Sequence, residues 1–389
     1  MGVSEKNKSA DSFYNGSTKD ILGYLRKPVL AELGYPENQI ENVFPEDFQT
    51  LAKNDFGYMA VIHADGNDLG ARLRKIVGES DHNTNKSVDI DKKDFFAEWV
   101  RRETVFRSIR AGVRKAFVKS LGTVFSNSIK REKLEFQPLM LGGDDLLMVC
   151  GASKALPFIR EFARLVKEQT KIKEPAANKI ENSNEEMPLT IGAGMAIVKE
   201  NFPFFRAHEL AEELSASSKY LKANPDFKGE SFVDWQIVTE SWYDKLASTR
   251  RKQAVISSSS EKLILSGKPY IIEGENSDTK KEGTGFSLRK FLEDTGQLPK
   301  SINAKIEIAR SQLKRLTSRL PEGRFAGEFA AASLPQKWKD SLSKSGYLKK
   351  ESPWEEITGN FLTRILDLAE VVELRDLGNN RDGKEEKNG

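Results

Sequence analysis

The chain has 389 residues, 38% apolar and 31% charged, enough for two or three domains with a sizeable core. Its net charge of only +3, with the signs well mixed, argues against broad electrostatic attachment to nucleic acid. The single cysteine, Cys150, excludes an internal disulfide and a multi-cysteine zinc site. No apolar run reaches the roughly 18 residues of a membrane span, and the polar N-terminus lacks a signal-peptide core, so a cytoplasmic location and no membrane partner are expected.

In chain order, residues 1–50 read as a polar N-terminal extension. "YMAVIHADG" predicts a strand over Tyr58–Ala64, and "DLGARLRKIVG" allows a short helix. The polar run "ESDHNTNKSVDIDKKD" reads as a loop. Phe96, Trp99, Phe106, Ile109, Val113, Phe117 and Leu121 then recur at helical spacing and predict the core face of a long helix. "KLEFQPLML", "GGDD" and "LLMVCG" read as a hairpin. Ser153 is placed to cap a helix whose apolar face carries Leu156, Ile159, Phe162, Ala163 and Val166. After a polar insertion, "LTIGAGMAIV" predicts a strand. A helix with Ala207, Leu210, Ala211, Leu214 and Leu221 on one face follows, and "SFVDWQIV" closes the series.

The first six of these elements, βαββαβ, give the expected fold class: α+β, a ferredoxin-like antiparallel sheet with helices on one face. The expected organisation is 51–240 for this domain, 241–299 for a linker with short elements, 300–377 for a C-terminal helical domain and 378–389 for a disordered tail. Within the helical domain, Ile302, Ile306, Ala309, Leu313, Leu316 and Leu320 recur at three- and four-residue steps. Trp354, Ile357, Phe361, Ile365, Leu368 and Val372 do the same.

Strand alternation puts Met59, Val61, His63 and Asp65 on one face of the first strand. In a ferredoxin-like sheet that strand neighbours the one carrying "GGDD". Asp65 is then expected to meet Asp144 and Asp145, although about 80 residues separate them. Three gathered carboxylates repel one another unless a cation joins them, and an all-oxygen set suits Mg²⁺. Gly142 and Gly143 let the backbone of the turn approach a bulky ligand and turn N–H groups toward phosphates. A Gly-Gly-Asp-Asp turn is also acceptable hairpin chemistry with no function.

"YMAVIHADGNDLG", "LMLGGDDLLMVC" and "LTIGAGMAIVKENFPFFRAHELAEELSASSKYLK", in that order, resemble the CRISPR polymerases, the large subunits of type III CRISPR complexes, over their cyclase-type Palm. That domain is related to GGDEF diguanylate cyclases and class III nucleotide cyclases. The resemblance implies a Palm that binds ATP with two Mg²⁺ (or Mn²⁺) ions and joins nucleotides into a cyclic oligonucleotide messenger with loss of pyrophosphate, in anti-phage defence. It implies Asp65 and Asp145 as the main metal ligands, Asp144 as an accessory ligand and the Gly66 carbonyl or neighbouring backbone completing the shell. Lys219 would lie against the triphosphate, with Lys222 a second candidate.

Asn67 and Asp68 would shape the loop or touch a ribose, Arg206 would clamp phosphate or cap a turn, and His63 would assist or simply pack. Cys150 reads as a small buried hydrophobe. Three histidines (His63, His82, His208) and one cysteine depart from the family's HD nuclease and zinc element, so a reduced, stand-alone relative is expected, with its dependence on RNA open. Ring closure needs two apposed nucleotides, which predicts a homodimer through the Palm and a downstream effector that senses the product. Two alternatives stand beside this: a catalytically silent nucleotide-binding scaffold, and a GTP-using diguanylate cyclase.

Overall fold

The computed structural model describes residues 27–35, 43–45, 47–70, 92–130, 134–171, 188–239, 246, 254–256, 262–273, 285–296, 306, 308–357 and 359–379. Expectations for the N-terminal tail, for most of the short helix after Gly70, for the insertion at 172–187, for Ile302 and for residues 380–389 lie outside these.

The central sheet has six strands in the order β2-β3-β1-β4-β5-β8. They are β1 (Tyr58–Gly66), β2 (Phe136–Gly142), β3 (Asp145–Gly151), β4 (Ile191–Lys199), β5 (Phe232–Ile237) and β8 (Tyr270–Ile271). β1 lies antiparallel between β3 and β4, with Met59 opposite Gly151 and Asp65 opposite Gly192. β4 and β5 run parallel, as a helical crossover requires. β1, α1 (Lys92–Val124), β2, β3, α2 (Ala152–Gln169) and β4 make the ferredoxin-like βαββαβ unit.

Period-2 alternation sends the two faces of β1 into different cores. Ala60, Ile62 and Ala64 pack with Val113, Phe117 and Leu121 of α1 and Ile159 and Phe162 of α2. Met59 and Val61 pack on the opposite face with Ala207, Leu210 and Leu214 of α3 (Phe204–Ser218). The two helices of the unit thus share one face, and α3 covers the other. With both faces covered, β4 is buried along nearly its whole length.

Several local readings are corrected. Phe96 and Trp99 are not on the core face of α1. They are 64% and 54% exposed and stack on each other with ring centroids 6.1 Å apart, while burial begins near Val105. The helix already includes Lys92, inside the run read as a loop. Ser153 is not the N-cap of α2. That position is Gly151, and the buried Asp55 carboxylate accepts both the Ser153 N–H (2.9 Å) and its hydroxyl (2.9 Å). Leu221 lies beyond α3, in a 3₁₀ turn (Lys219–Ala223), packed with Phe227, Phe232 and Ile271.

The C-terminal region is mainly helical: α4 (Leu288–Thr295), α5 (Arg310–Arg319), α6 (Arg324–Ala332), α7 (Gln336–Lys344) and α8 (Ile365–Asn379). It also holds a small sheet ordered β6-β7-β10-β9. This corrects the helical reading of Trp354–Phe361, because β9 (Glu355–Ile357) and β10 (Asn360–Leu362) form a hairpin. β10 pairs in parallel with β7 (Lys262–Ile264), which in turn pairs with β6 (Ala254–Ile256) inside a stretch read as loop. Ile306 is buried but precedes the helix, which starts at Arg310.

Buried polar contacts join this region to the central sheet. Lys268 Nζ donates to Glu370 of α8 (2.5 Å) and to the Trp235 carbonyl of β5 (3.1 Å), and the Trp235 indole N–H donates to Glu370 (2.8 Å). Asp367 accepts from the Ser266 hydroxyl, the Gly267 N–H and the Tyr270 hydroxyl at 2.7–3.0 Å.

Candidate active site

The β1 C-terminus and the β2–β3 turn converge on three carboxylates. Asp65 belongs to β1, which runs on to Gly66, two residues beyond the end expected for that strand. Asp144 lies in the turn, and Asp145 opens β3 opposite Gly142. One oxygen from each of Asp65, Asp144 and Asp145 lies within 4.8 Å of the others, and no other such group occurs among the described residues. The turn works because Gly143 adopts φ +70°, a left-handed conformation that glycine takes without Cβ strain. Gly66 serves differently: a Cβ there would sit 2.5 Å from Asp144 Oδ2, so its bare backbone admits the second acid.

Lys219 completes the cluster through an ion pair with Asp65 Oδ2. It approaches across β4, where Gly192 leaves the room. A Cβ on Gly192 would lie 2.5 Å from Lys219 Cγ. Gly194, two residues on, lets α3 settle against the strand, for a Cβ there would come within 2.0 Å of the Ala211 carbonyl oxygen and 2.2 Å of the Ser215 nitrogen. The Ser215 hydroxyl donates to the Gly192 carbonyl (3.0 Å), fixing the same crossing. Sequence reasoning did not single out Gly192, Gly194 or Ser215. The signal was the "GAG" spacing, which puts two bare positions on one face of β4.

The acids do not share the negative charge equally. Burial pushes Asp145 up to about 6, reinforced by its hydrogen bond with Asp65 and the nearby Asp144 charge. Burial also raises Asp144, with Asp65 adding to the effect. Burial acts upward on Asp65 too, but the Lys219 ammonium and the hydrogen bond with Asp145 outweigh it and hold this carboxyl below its usual range. Without a cation, the cluster therefore favours a proton on Asp145 and charge on Asp65. Three carboxylate donors in this state fit a hard divalent cation such as Mg²⁺, whose charge would relieve both shifts.

The other residues named from sequence have separate places. Lys222 is ion-paired with Asp68, not with the triad. Asp68 itself has φ +58°. Asn67 is buried, its backbone N–H bonded to the Thr190 carbonyl (2.7 Å) and its side-chain amide to the Thr190 hydroxyl (3.0 Å). Asn67, Asp68, Thr190 and Lys222 line an adjoining cavity of about 300 Å³. Gly142 borders open space, with nothing within 4 Å of an added Cβ. His63 shares the Asp65 face but packs edge-on to His208 (5.9 Å), and burial lowers its pKa. Arg206 pairs with Glu209 (3.5 Å). Cys150 is buried and its thiol is pushed up by that burial.

This strand-end triad lies in a segment with a known counterpart: residues 58–225 match the family model described as "Cas10/Cmr2, second palm domain". The segment resembles a Cas10/Cmr2 palm. The palm match holds β1, the GGDD turn, β4, α3 and Lys219. Among solved structures, Csm1 in T. onnurineus is 16% identical, covering 48% of this chain and 22% of its own, with a TM-score of 0.30. The GGDEF domain of DgcB from Caulobacter crescentus, in complex with c-di-GMP, is 14% identical, covering 45% of this chain and 81% of its own (TM-score 0.26). A type III-B Cmr-beta apo structure is 13% identical, covering 83% and 38% (TM-score 0.28). The chain thus spans about a fifth of the length of the Csm1 chain it matches. No curated protein matches it.

Proposed function

We propose that this protein is a metal-dependent nucleotidyltransferase that joins ATP molecules into a cyclic oligonucleotide messenger with release of pyrophosphate, in anti-phage signalling. The observation that carries this reading is the gathering of Asp65, Asp144 and Asp145 within 4.8 Å, beside Lys219, in a palm of Cas10/Cmr2 type. In each step a ribose hydroxyl of one nucleotide attacks the α-phosphorus of another. The new P–O bond forms as the bond to pyrophosphate breaks, and the hydroxyl proton passes to solvent.

Asp65 and Asp145 would hold the metal ions, with Asp144 and the Gly66 backbone as accessory donors. Two Mg²⁺ ions held there would supply charge neutralisation at the phosphates and a lowered hydroxyl pKa. Lys219 exchanges Asp65 for the triphosphate when nucleotide arrives. Gly142, Gly143 and Asn67 leave backbone and space for the nucleotide, and Lys222 supplies a second phosphate contact once it releases Asp68. Ring closure requires two nucleotides face to face, which a homodimer through the palm provides. The product goes to an effector that senses it.

Incubation with Mg²⁺ or Mn²⁺ and each NTP, followed by chromatography and mass spectrometry, tests the reading. A cyclic adenylate and pyrophosphate are expected from ATP, and none from Asp144→Ala/Asp145→Ala. A product from GTP alone would assign a diguanylate-cyclase-like enzyme. Nucleotide binding with no turnover under any condition would assign a silent scaffold.

A further inference from the structure

The charge of this chain is segregated. Residues 310–350 hold ten lysines and arginines against three acids, whereas the chain as a whole is only +3, so the remainder is net negative. Within that basic stretch, α6 turns Phe325 and Phe329 outward. They are 88% and 74% exposed, on a helix whose other face is anchored by Gly327, Ala330 and Ala331. Rings at i and i+4 stand one above the other on a helix surface. Two such phenylalanines on a helix packed through its other face contribute nothing to the core.

The cations sit on the same pair of helices. α5 buries Leu313 and Leu316 and exposes Lys314, Arg315 and Arg319. It connects to α6 through the short turn Leu320–Glu322, and the two helices close tightly: a Cβ on Gly327 would lie 3.1 Å from Leu320 Cδ2. Arg319 and Arg324 are paired with Glu322 and Glu328. Lys314 and Arg315 enter no ion pair among the described residues. Exposed rings on one helix and uncommitted cations on the helix packed against it suit a ligand with flat apolar faces joined by anionic linkers.

We propose that the outward faces of α5 and α6 bind single-stranded nucleic acid, with bases on Phe325 and Phe329 and phosphates on Lys314 and Arg315. Unpaired bases are required, because a duplex hides the faces that the rings would stack on. This surface is independent of the carboxylate triad, and its occupancy does not require turnover.

Fluorescence anisotropy of the full chain with labelled oligo-U, oligo-dT and a duplex of equal length tests it. Binding to single strands is expected, with affinity falling as salt rises by a log–log slope of about −0.7 per phosphate engaged. Phe325→Ser/Phe329→Ser should weaken it about tenfold or more. Lys314→Glu/Arg315→Glu should weaken it and flatten the salt slope. All four positions are exposed, so circular dichroism should show both variants folded. The oligo-U and oligo-dT arms separate RNA from DNA as the ligand. No binding to either single strand at low salt, tighter binding to the duplex, or undiminished binding in both double variants would overturn the proposal.

Discussion

Lys219 reaches across Gly192 to neutralise Asp65, one of the three carboxylates gathered at the strand end. A divalent cation bound by the triad would share this carboxylate with Lys219, and that has opposite consequences for metal and nucleotide. Lys219→Met is expected to bind Mn²⁺ several-fold more tightly in the absence of nucleotide, because the competing charge is gone. The same variant should lose ATP turnover by roughly two orders of magnitude, the scale seen when one charge-stabilising donor is removed. Isothermal titration and initial rates measure the two effects; a weaker Mn²⁺ affinity in the variant would contradict the competition.

Gly192→Ala should reproduce part of that phenotype without removing a charge. The added Cβ would overlap the Lys219 stem at 2.5 Å and push it off its path. Reduced ATP turnover with near-normal thermal stability is expected, since the stem can move aside.

Gly194→Ala is a different case, because the overlap at 2.0 Å is with helix backbone that has no rotamer to change. Separating α3 from β4 exposes the Met59, Val61 and Leu210 cluster. A loss of about 3 kcal/mol or more is expected in urea denaturation, at the upper end of overpacking substitutions.

The charge state of the triad gives stability a pH dependence. Asp145 is raised to about 6 in the folded chain and titrates near 3.8 when unfolded. Between those values the folded state holds more protons, so this group makes stability fall as pH rises, with the full cost reached above about 6. In EDTA, the wild-type Tm should therefore drop more between pH 4.5 and 7.5 than that of Asp145→Asn. Mg²⁺ should raise the wild-type Tm more at pH 7.5 than at 4.5. Parallel Tm profiles for the two proteins would refute the assignment.

Asp55 caps α2 from 98 residues upstream while 2% exposed. Asp55→Ala leaves the Ser153 N–H and hydroxyl without this acceptor in a buried place. A cost of about 1–3 kcal/mol is expected from chemical denaturation.

The parts of this structure governed by short-range pattern were legible in the sequence. Alternation along β1 placed Met59, Val61, His63 and Asp65 together, and the order of elements brought Asp65 toward the GGDD turn. The misreadings involve partners distant in the chain. Trp354, Ile357 and Phe361 mimic helical spacing, yet β10 finds its parallel neighbour in β7, nearly 100 residues away. Ser153 has the composition of a cap, and only the fold brings Asp55 to that helix end instead. Phe96 and Trp99 fit the α1 period, but periodicity does not say where along a helix the core stops. Gly192 and Gly194 lie in a run legible only as a strand, because what a missing Cβ makes room for is visible only once Lys219 and α3 are in place.

The Lys268–Glu370–Trp235 cluster sets the smallest piece of this protein that can be handled as a unit. A fragment ended after β5 would strip Trp235 of its indole acceptor and expose the face that Lys268 and α8 cover, and one cut to the family match would lose β5 altogether. The segment that carries the carboxylates thus leans on the C-terminal region, and a shortened version of this chain that keeps Trp235 has to keep its last helix as well.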